Sequence, residues 1–370
     1  MITALASIVL ALTTPDPGSV AATLQARVEA AVAEGAAPAL SAAAVLPDGE
    51  IVCAVAGTAG DDNPTTLGCD TRFLSGSLGK TVTALVTANL VADRGLDLDA
   101  PISTWLSDRP WWSRLRNRDD ITLRMLLNHS AGVPDYLEDM GFFLAGLTRG
   151  DRGFTPDETI AFVASDRPNG EPGAHYAYSD THYIMVGLIL EAETGQSFHE
   201  ILRNTQLLDW EMTNTSPLAG RRFDRLADGH VEGLFGLRRT ARAGRLADNL
   251  DHEWAAGGLV TTPTDLARLF AALGDGGFSE EAGRLMRSDI NPFDDTGQRG
   301  YGLGVFVRFY DDGNYRISHG GDFGGYRSAA LYDSATGIAL AVQANSKEFE
   351  APDFAFDLLV AIEAIEELPY

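Results

Sequence analysis

Ser77 and Lys80 stand three residues apart in the stretch Phe73 to Ala92, FLSGSLGKTVTALVTANLVA, where Lys80 is the only ionisable side chain. Side chains at i and i+3 share a helix face, so this hydroxyl and this amine can touch. An amine beside a serine hydroxyl can help remove its proton and make the oxygen a nucleophile, the S-x-x-K arrangement of acyl transfer. Read alone, the pair also fits a serine N-cap and a lysine that snorkels to solvent. The setting argues otherwise. Burial disfavours the ammonium form and shifts a lysine pKa, which arginine does not allow. Of the 28 Lys and Arg residues only Lys80 and Lys347 are lysine, so one of the two sits in a charge-free helix. Two other motifs overlap these residues and fail. A phosphate-binding loop ending in Gly79-Lys80-Thr81 requires glycine where Leu74 stands, and the nucleophile elbow G-x-S-x-G requires glycine where Ser75 stands.

The element that must carry the pair is a helix. Val82, Leu85, Val86, Asn89 and Leu90 recur at helical spacing, Ser75, Gly76 and Ser77 offer N-cap residues, and Asp93-Arg94-Gly95 supplies the stop, so the pattern predicts one buried helix over 73–92. Two further stretches could face it. Pro172 to Asp180 places Tyr178 and Asp180 at Y-x-D spacing ahead of an apolar helix, and His319-Gly320-Gly321 closes a strand with glycines that permit close backbone approach.

The chain of 370 residues, 45% hydrophobic, is long enough for one large core or two smaller ones. A net charge of -24 argues against nucleic acid or an anionic membrane surface as partner. Residues 1–19 open with an apolar run the length of a signal-peptide core, too short to span a bilayer and lacking a basic start, with Ser19-Val20-Ala21 as a candidate cleavage site. The expectation is a periplasmic or secreted protein, with an N-terminal arm on a cytoplasmic one as the alternative, and no stable membrane insertion. Cys53 and Cys69 would pair in the first case and remain buried thiols in the second.

Val20 to Glu34 reads as an amphipathic helix. Ser41 to Leu46 and Glu50 to Ala56 flank the hairpin signal Pro47-Asp48-Gly49. From Asp93 to about Leu250 turn clusters and helical patterns dominate, which predicts a mostly helical insertion; the arginines between Arg238 and Arg245 read as a solvated face. Strand patterns return over 302–310, 315–320, 326–332 and 338–345, joined by connections short enough for antiparallel neighbours, and Asp353 to Glu366 forms a last helix. The fold class is α/β of the α+β kind: an antiparallel sheet flanked by helices, built from residues 20–76 and 256–370, with an all-helical lobe over 77–255 and the reactive cleft between them.

Taken together, these marks resemble the penicillin-recognising serine hydrolases, in the branch of class C β-lactamases, D-alanyl-D-alanine carboxypeptidases, D-aminopeptidases and esterases, and its β-lactamase/transpeptidase-like fold. The resemblance runs from about Pro38 to Asn345 and rests on Phe73 to Thr81, LLNHSAGVPDY from Leu126, YSDTHY from Tyr178, GGLVTTPTDLARL from Gly257, YGLGV from Tyr301 and HGGDFGGYRS from His319. It implies catalytic roles for Ser77, Lys80, Tyr178 and His319, an oxyanion site at the backbone N–H groups of Ser77 and Asp322, and substrate contacts from Asp180, Gly320, Gly321 and Arg327. It implies no cofactor and no metal. Two departures bear on substrate. Asp180 stands where class C enzymes carry asparagine, and an ionised carboxylate donates no hydrogen bond. His319 replaces the lysine of K-T-G and is largely neutral at pH 7, leaving Arg327 as the candidate cation.

The reading is therefore a serine hydrolase that forms an acyl-enzyme on Ser77 and cleaves a small ester, amide or D-amino-acid peptide. A D-alanyl-D-alanine carboxypeptidase or weak β-lactamase is the neighbouring alternative. A non-catalytic binding protein on the same fold is the alternative of another class, disfavoured because a binding module has no use for a buried lysine. The sequence carries no mark of oligomeric state.

Overall fold

The computed structural model describes residues 14–366 except 61, 64, 204–209, 234–235 and 276–279. Most of the candidate export segment, residues 1–13, lies outside the described residues. Its end does not: Ser19-Val20-Ala21 falls in the first turns of helix α1 (Pro17–Ala33), where Asp16 accepts the Ser19 N–H and Val20 is buried. The tripeptide is thus part of a packed helix rather than an exposed linker.

Alternation of apolar residues at both ends of the chain builds one antiparallel sheet. β1 (Ala39–Val45) and β2 (Ile51–Gly57) form the expected hairpin, and β1 pairs along its other edge with the last strand, Leu40 opposite Ala344. Between them in sequence lie β3 (Phe73–Leu74), α2 (Leu78–Arg94), α3 (Met140–Arg149), α4 (Pro156–Val163), α5 (Asp180–Thr194) and β4 (Ser216–Pro217). Then come β5 (Gly229–Gly233), β6 (Gly236–Arg242), β7 (Arg245–Leu246), β8 (Leu259–Thr261), α6 (Pro263–Asp275) and α7 (Glu280–Ser288). The chain closes with β9 (Asn291–Pro292), β10 (Arg299–Tyr301), β11 (Phe306–Phe309), β12 (Tyr315–Phe323), β13 (Tyr326–Asp333), β14 (Ile338–Ala344) and α8 (Ala351–Glu366). The main sheet runs β2-β1-β14-β13-β12-β11-β10-β9.

Successive strand side chains point to opposite faces, and each face receives its own layer. Leu40, Ala42, Ala44, Leu331, Leu340 and Val342 pack beneath α1 and α8, while Ala43, Ala330, Ala339 and Ala341 face the core shared with α2, α5 and α6. Small residues on that second face let α2 and α6 lie close to the sheet.

The structure differs from the sequence reading at several places. The strand expected over 302–310 begins only at Phe306, and β9 and β10 precede it unannounced. The helix over 73–92 begins later, at Leu78, because Phe73 and Leu74 are taken by pairing with Thr261 and Val260 of β8. The insertion is not all helical either. β5, β6 and β7 form a three-stranded sheet whose Ala241 and Leu246 pack with Phe73, Leu226 and Tyr326. Its apolar face is supplied by distant partners, so the local pattern carried little alternation. Of its arginines, Arg242 pairs with Asp62 at 2.5 Å, and Arg239 approaches Asp62 and Asp228. Cys53 and Cys69 form a disulfide that ties β2 to the segment leading into β3.

Candidate active site

Ser77 is the N-cap of α2, but its backbone is already helical (φ -56°, ψ -9°) and its hydroxyl caps no N–H of the helix. The oxygen is therefore available to the cleft. Lys80, one turn on, is fully buried, and its Nζ lies 3.2 Å from Ser77 Oγ and 2.9 Å from the carbonyl oxygen of Ala256; its third contact is an ion pair with Asp180. Three acceptors thus take the three hydrogens of an ammonium. Burial opposes the charge, but Asp180 above all, with Tyr178 and Glu253, outweighs it and holds the lysine pKa above its ordinary value. Burial alone would have given a neutral amine; the counter-charge reverses that expectation.

Asp180 opens α5, and its backbone N–H donates to Asp135 at 3.0 Å. Burial, then repulsion from Asp180, pushes the Asp135 carboxyl up to about 6, and the same two causes push Glu253 up to about 8 against the pull of Lys80. Sequence reasoning missed both acids. Asp135 stood inside a quoted motif, LLNHSAGVPDY, but was used there only as a family mark. Glu253 carried no signal.

Tyr178 lies just before α5. Its hydroxyl faces Lys80 and Ser77, both of which favour the phenolate, and the ammonium lies 5.0 Å from its ring centroid. Burial pushes the phenol up to about 12, with the Lys80 charge opposing. The ring is fixed by His129, 4.2 Å away between centroids. His129 Nδ1 in turn accepts from the Ser179 N–H at 3.3 Å and meets His182 Nδ1 at 3.1 Å, while His182 Nε2 accepts from Val133 N–H at 3.2 Å. With Nε2 accepting, His182 carries its hydrogen on Nδ1 and points it at His129 Nδ1, which leaves the buried His129 Nε2 without a hydrogen-bond partner. Both histidines were invisible as site residues from spacing alone.

β12 forms the opposite wall. A Cβ on Gly321 would run into the Ser75 carbonyl oxygen, and one on Gly76 would stand 2.8 Å from the Asp322 nitrogen, so paired glycines let strand and helix start touch. Both the Ser77 and the Asp322 backbone nitrogens lie at this contact, and the N-terminal end of α2 adds its partial positive charge. His319 is buried. Its Nδ1–H donates to the Gly320 carbonyl at 2.6 Å, its Nε2 accepts from Tyr301 Oη at 2.9 Å, and burial pushes its pKa down to about 3. Arg327, expected as the free cation, reaches the site but is held by Asp322 at 3.3 Å and by the Lys347 carbonyl at 2.9 Å. A cavity of about 280 Å³ is lined by Ser77, Tyr178, His319, Gly320, Gly321 and Arg327 among others, while Asp180 sits behind Lys80 rather than on its wall. Among the described residues no group of three or more His, Cys, Asp or Glu side chains is arranged to hold a metal ion.

A family model described as Beta-lactamase matches residues 24–363. The chain belongs to the β-lactamase family. Its relatives in this serine hydrolase superfamily are hydrolases of several kinds. Penicillin-binding protein 4* of Bacillus subtilis is 25% identical over 269 residues, 70% of this chain and 57% of that protein. Esterase EstB of Burkholderia gladioli is 34% identical over 135 residues, 34% of this chain and 33% of EstB. The aligned stretches thus span between about a third and somewhat over half of these relatives. Solved structures align at nearly full length. A D-stereospecific amidohydrolase from Streptomyces sp. has a TM-score of 0.76 at 26% identity, covering 93% of this chain and 98% of that one. D-amino acid amidase from Ochrobactrum anthropi SV3, complexed with D-phenylalanine, has a TM-score of 0.76 at 25% identity, covering 94% and 99%. The antiparallel sheet with flanking helices is the fold of these β-lactamase family structures.

Proposed function

We propose that the chain hydrolyses esters, or amides of small acyl or D-amino-acid substrates, through an acyl-enzyme on Ser77. The observation that carries this reading is that Ser77, Tyr178 and Asp322 line one open cavity, with Lys80 buried directly behind Ser77 and the backbone nitrogens of Ser77 and Asp322 beside the same strand–helix contact. Lys80 donates to Ser77 Oγ and cannot also accept, so the serine hydrogen is directed to Tyr178, whose phenolate the ammonium stabilises. Attack on the substrate carbonyl forms the Ser77–C bond and places the oxyanion between the N–H groups of Ser77 and Asp322. The proton on Tyr178 then passes to the leaving group as its bond breaks, and water reverses the sequence to release the acid. Asp180 keeps Lys80 charged. His319, with both ring nitrogens engaged, is a positioning residue for the Gly320–Asp322 backbone rather than a proton carrier.

A Tyr178 pKa near 12 leaves a phenolate fraction on the order of 10⁻⁵ at pH 7. Because the active form is the deprotonated one, turnover of a p-nitrophenyl ester at low substrate should climb about tenfold per pH unit between pH 7 and 10. The relatives named esterase and D-amino acid amidase support these substrate classes. With Arg327 paired to Asp322 and His319 neutral, the cavity offers no unpaired cation beside the reacting centre among the described residues, which favours uncharged groups there over a β-lactam carboxylate. Penicillin-binding protein 4* keeps a D-alanyl-D-alanine carboxypeptidase or weak β-lactamase as the second reading. The Cys53–Cys69 disulfide supports an exported, oxidising location.

Fluorophosphonate labelling and turnover of p-nitrophenyl esters, D-amino-acid amides, D-Ala-D-Ala and nitrocefin test the proposal. Labelling is expected to vanish in Ser77→Ala and to slow at least 100-fold in Tyr178→Phe. Near-normal acylation in Tyr178→Phe would move the base role to Lys80. Folded protein that neither labels nor turns over any of these substrates would leave a binding role.

A further inference from the structure

Helices cover the outer face of the main sheet unevenly. α1 and α8 pack against β1, β2, β13 and β14, and α8 reaches only as far as β12. Beyond it, on the outer face of β10, β11 and β12, lies a cavity of about 510 Å³ walled by Phe293, Phe306, Ser318, Ala329, Leu331 and Phe356. Phe306, His319, Gly320 and Pro352 line both this cavity and the one at Ser77. The two form one path along β12.

The far end of that path is basic. Strand register sets Arg299 opposite Arg308, Arg308 opposite Arg316, and Arg316 opposite Asp333, so three arginines stand in one row across three neighbouring strands. Like charges directly opposite one another destabilise a sheet. Asp294 relieves Arg299 at 3.2 Å and Asp333 relieves Arg316 at 2.8 Å. Arg308, in the middle, meets no carboxylate among the described residues, and its guanidinium lies 5.1 Å from the Tyr310 ring centroid. All three arginines line the cavity. In a chain of net charge -24, an unpaired cation flanked by two others at the end of an apolar groove is an arrangement suited to an anion.

We propose that this groove takes one substituent of the substrate: an apolar chain ending in an anionic group, carboxylate or phosphate, seated at Arg308 while the scissile carbonyl lies at Ser77. The length follows from the strand. Gly321 touches the start of α2 and Arg316 lies five residues back along β12, so the chain must span about 17 Å. This rests on the ester-hydrolase reading and sharpens it, since it moves the anionic group from beside the reacting carbonyl, where the site has no spare cation, to the distant arginine row.

Monomethyl dodecanedioate, whose ester end is uncharged, is a probe of suitable length. Calorimetric titration into the Ser77→Ala protein measures binding without turnover, and Arg308→Gln in that background is expected to weaken it at least about tenfold. In the active protein, two substrate series separate the acyl side from the leaving-group side: p-nitrophenyl esters of dodecanedioate, and acetylated ω-hydroxydodecanoate. In one series or the other, the ratio of kcat/KM for the long anionic ester to that for the corresponding acetate is expected to fall at least tenfold in Arg308→Gln. Ser318→Phe, which fills the floor of the groove, should lower the same ratio for long esters with neutral ends as well. Absence of monomethyl dodecanedioate binding at millimolar concentration, or binding that Arg308→Gln does not alter, overturns the groove whether or not esters are cleaved. Binding lost with Arg308→Gln in a protein that cleaves no ester upholds the groove and sinks the hydrolase reading instead.

Discussion

Replacing Asp180 by asparagine isolates what the buried ion pair does. The change keeps the size of the side chain but leaves Lys80, 0% exposed, without its counter-charge. If the ammonium stays charged, breaking a buried pair costs about 3–5 kcal/mol. If instead it loses its proton, the cost is that of delivering a neutral lysine whose unfolded pKa is about 10.4, about 5 kcal/mol at pH 7. The two routes agree, and the remaining acids Asp135 and Glu253 pull the expectation toward the lower end. The pH dependence separates the routes. In the wild type the Lys80 pKa is raised, so its contribution is fully present below the unfolded value and is lost only above it. In Asp180→Asn a lysine depressed below 10.4 leaves the unfolded state with more bound protons, so stability rises with pH and the deficit shrinks by about 1.4 kcal/mol per unit, to about 2 kcal/mol at pH 9. Urea unfolding followed by far-UV circular dichroism at pH 7, 8 and 9, each against wild type, measures this. A deficit below about 1 kcal/mol at pH 7 would refute the claim that Asp180 holds the lysine charged, and a deficit independent of pH would refute its neutralisation in the variant.

Gly321→Ala should cost about 100-fold or more in acylation, because the added Cβ meets the Ser75 carbonyl oxygen and must push β12 away from Ser77; unaltered fluorophosphonate labelling would show that the strand contact does not set the candidate site. The buried histidines predict acid lability. Burial, the first cause for each, pushes His182 and His319 down to about 3, so between there and an unfolded value near 6.5 the unfolded state binds more protons and stability falls as pH falls. At pH 5 each contributes a loss of about 2 kcal/mol, which urea midpoints at pH 7 and pH 5 will register; His182→Gln, if folded, should lose less over that interval than wild type.

Much of the candidate site was legible because its residues are local to one another in sequence. Ser77 and Lys80 stand one helical turn apart, Tyr178 and Asp180 flank the start of one helix, and Gly321 announces a close approach by having no side chain, whereas a Cβ on Gly320 would meet only ordinary contacts. Most strands at both ends of the chain were equally plain, since a buried face writes its period into the sequence, but the strand expected over 302–310 begins only at Phe306, and the short β9 and β10 carried too few residues to show a period. What spacing did not reveal came from elsewhere in the fold. Phe73 and Leu74 read as helix because nothing nearby disclosed β8, 185 residues or so later in the chain, as their partner. The short sheet of β5, β6 and β7 went unread because its apolar contacts are also distant.

The sequence by itself determined which groups could react: a serine, an amine that only burial or a counter-charge would make useful, a phenol and a carboxylate. Tertiary structure decided their states. Lysine buried alone sheds its proton, and lysine buried against Asp180 keeps it; the difference is a charge 100 residues away along the chain, brought into contact by packing. The same holds for Arg308, an unremarkable strand arginine until register sets it between Arg299 and Arg316. Residue type is a local property, whereas electric potential sums over neighbours in space, and only the fold chooses those neighbours.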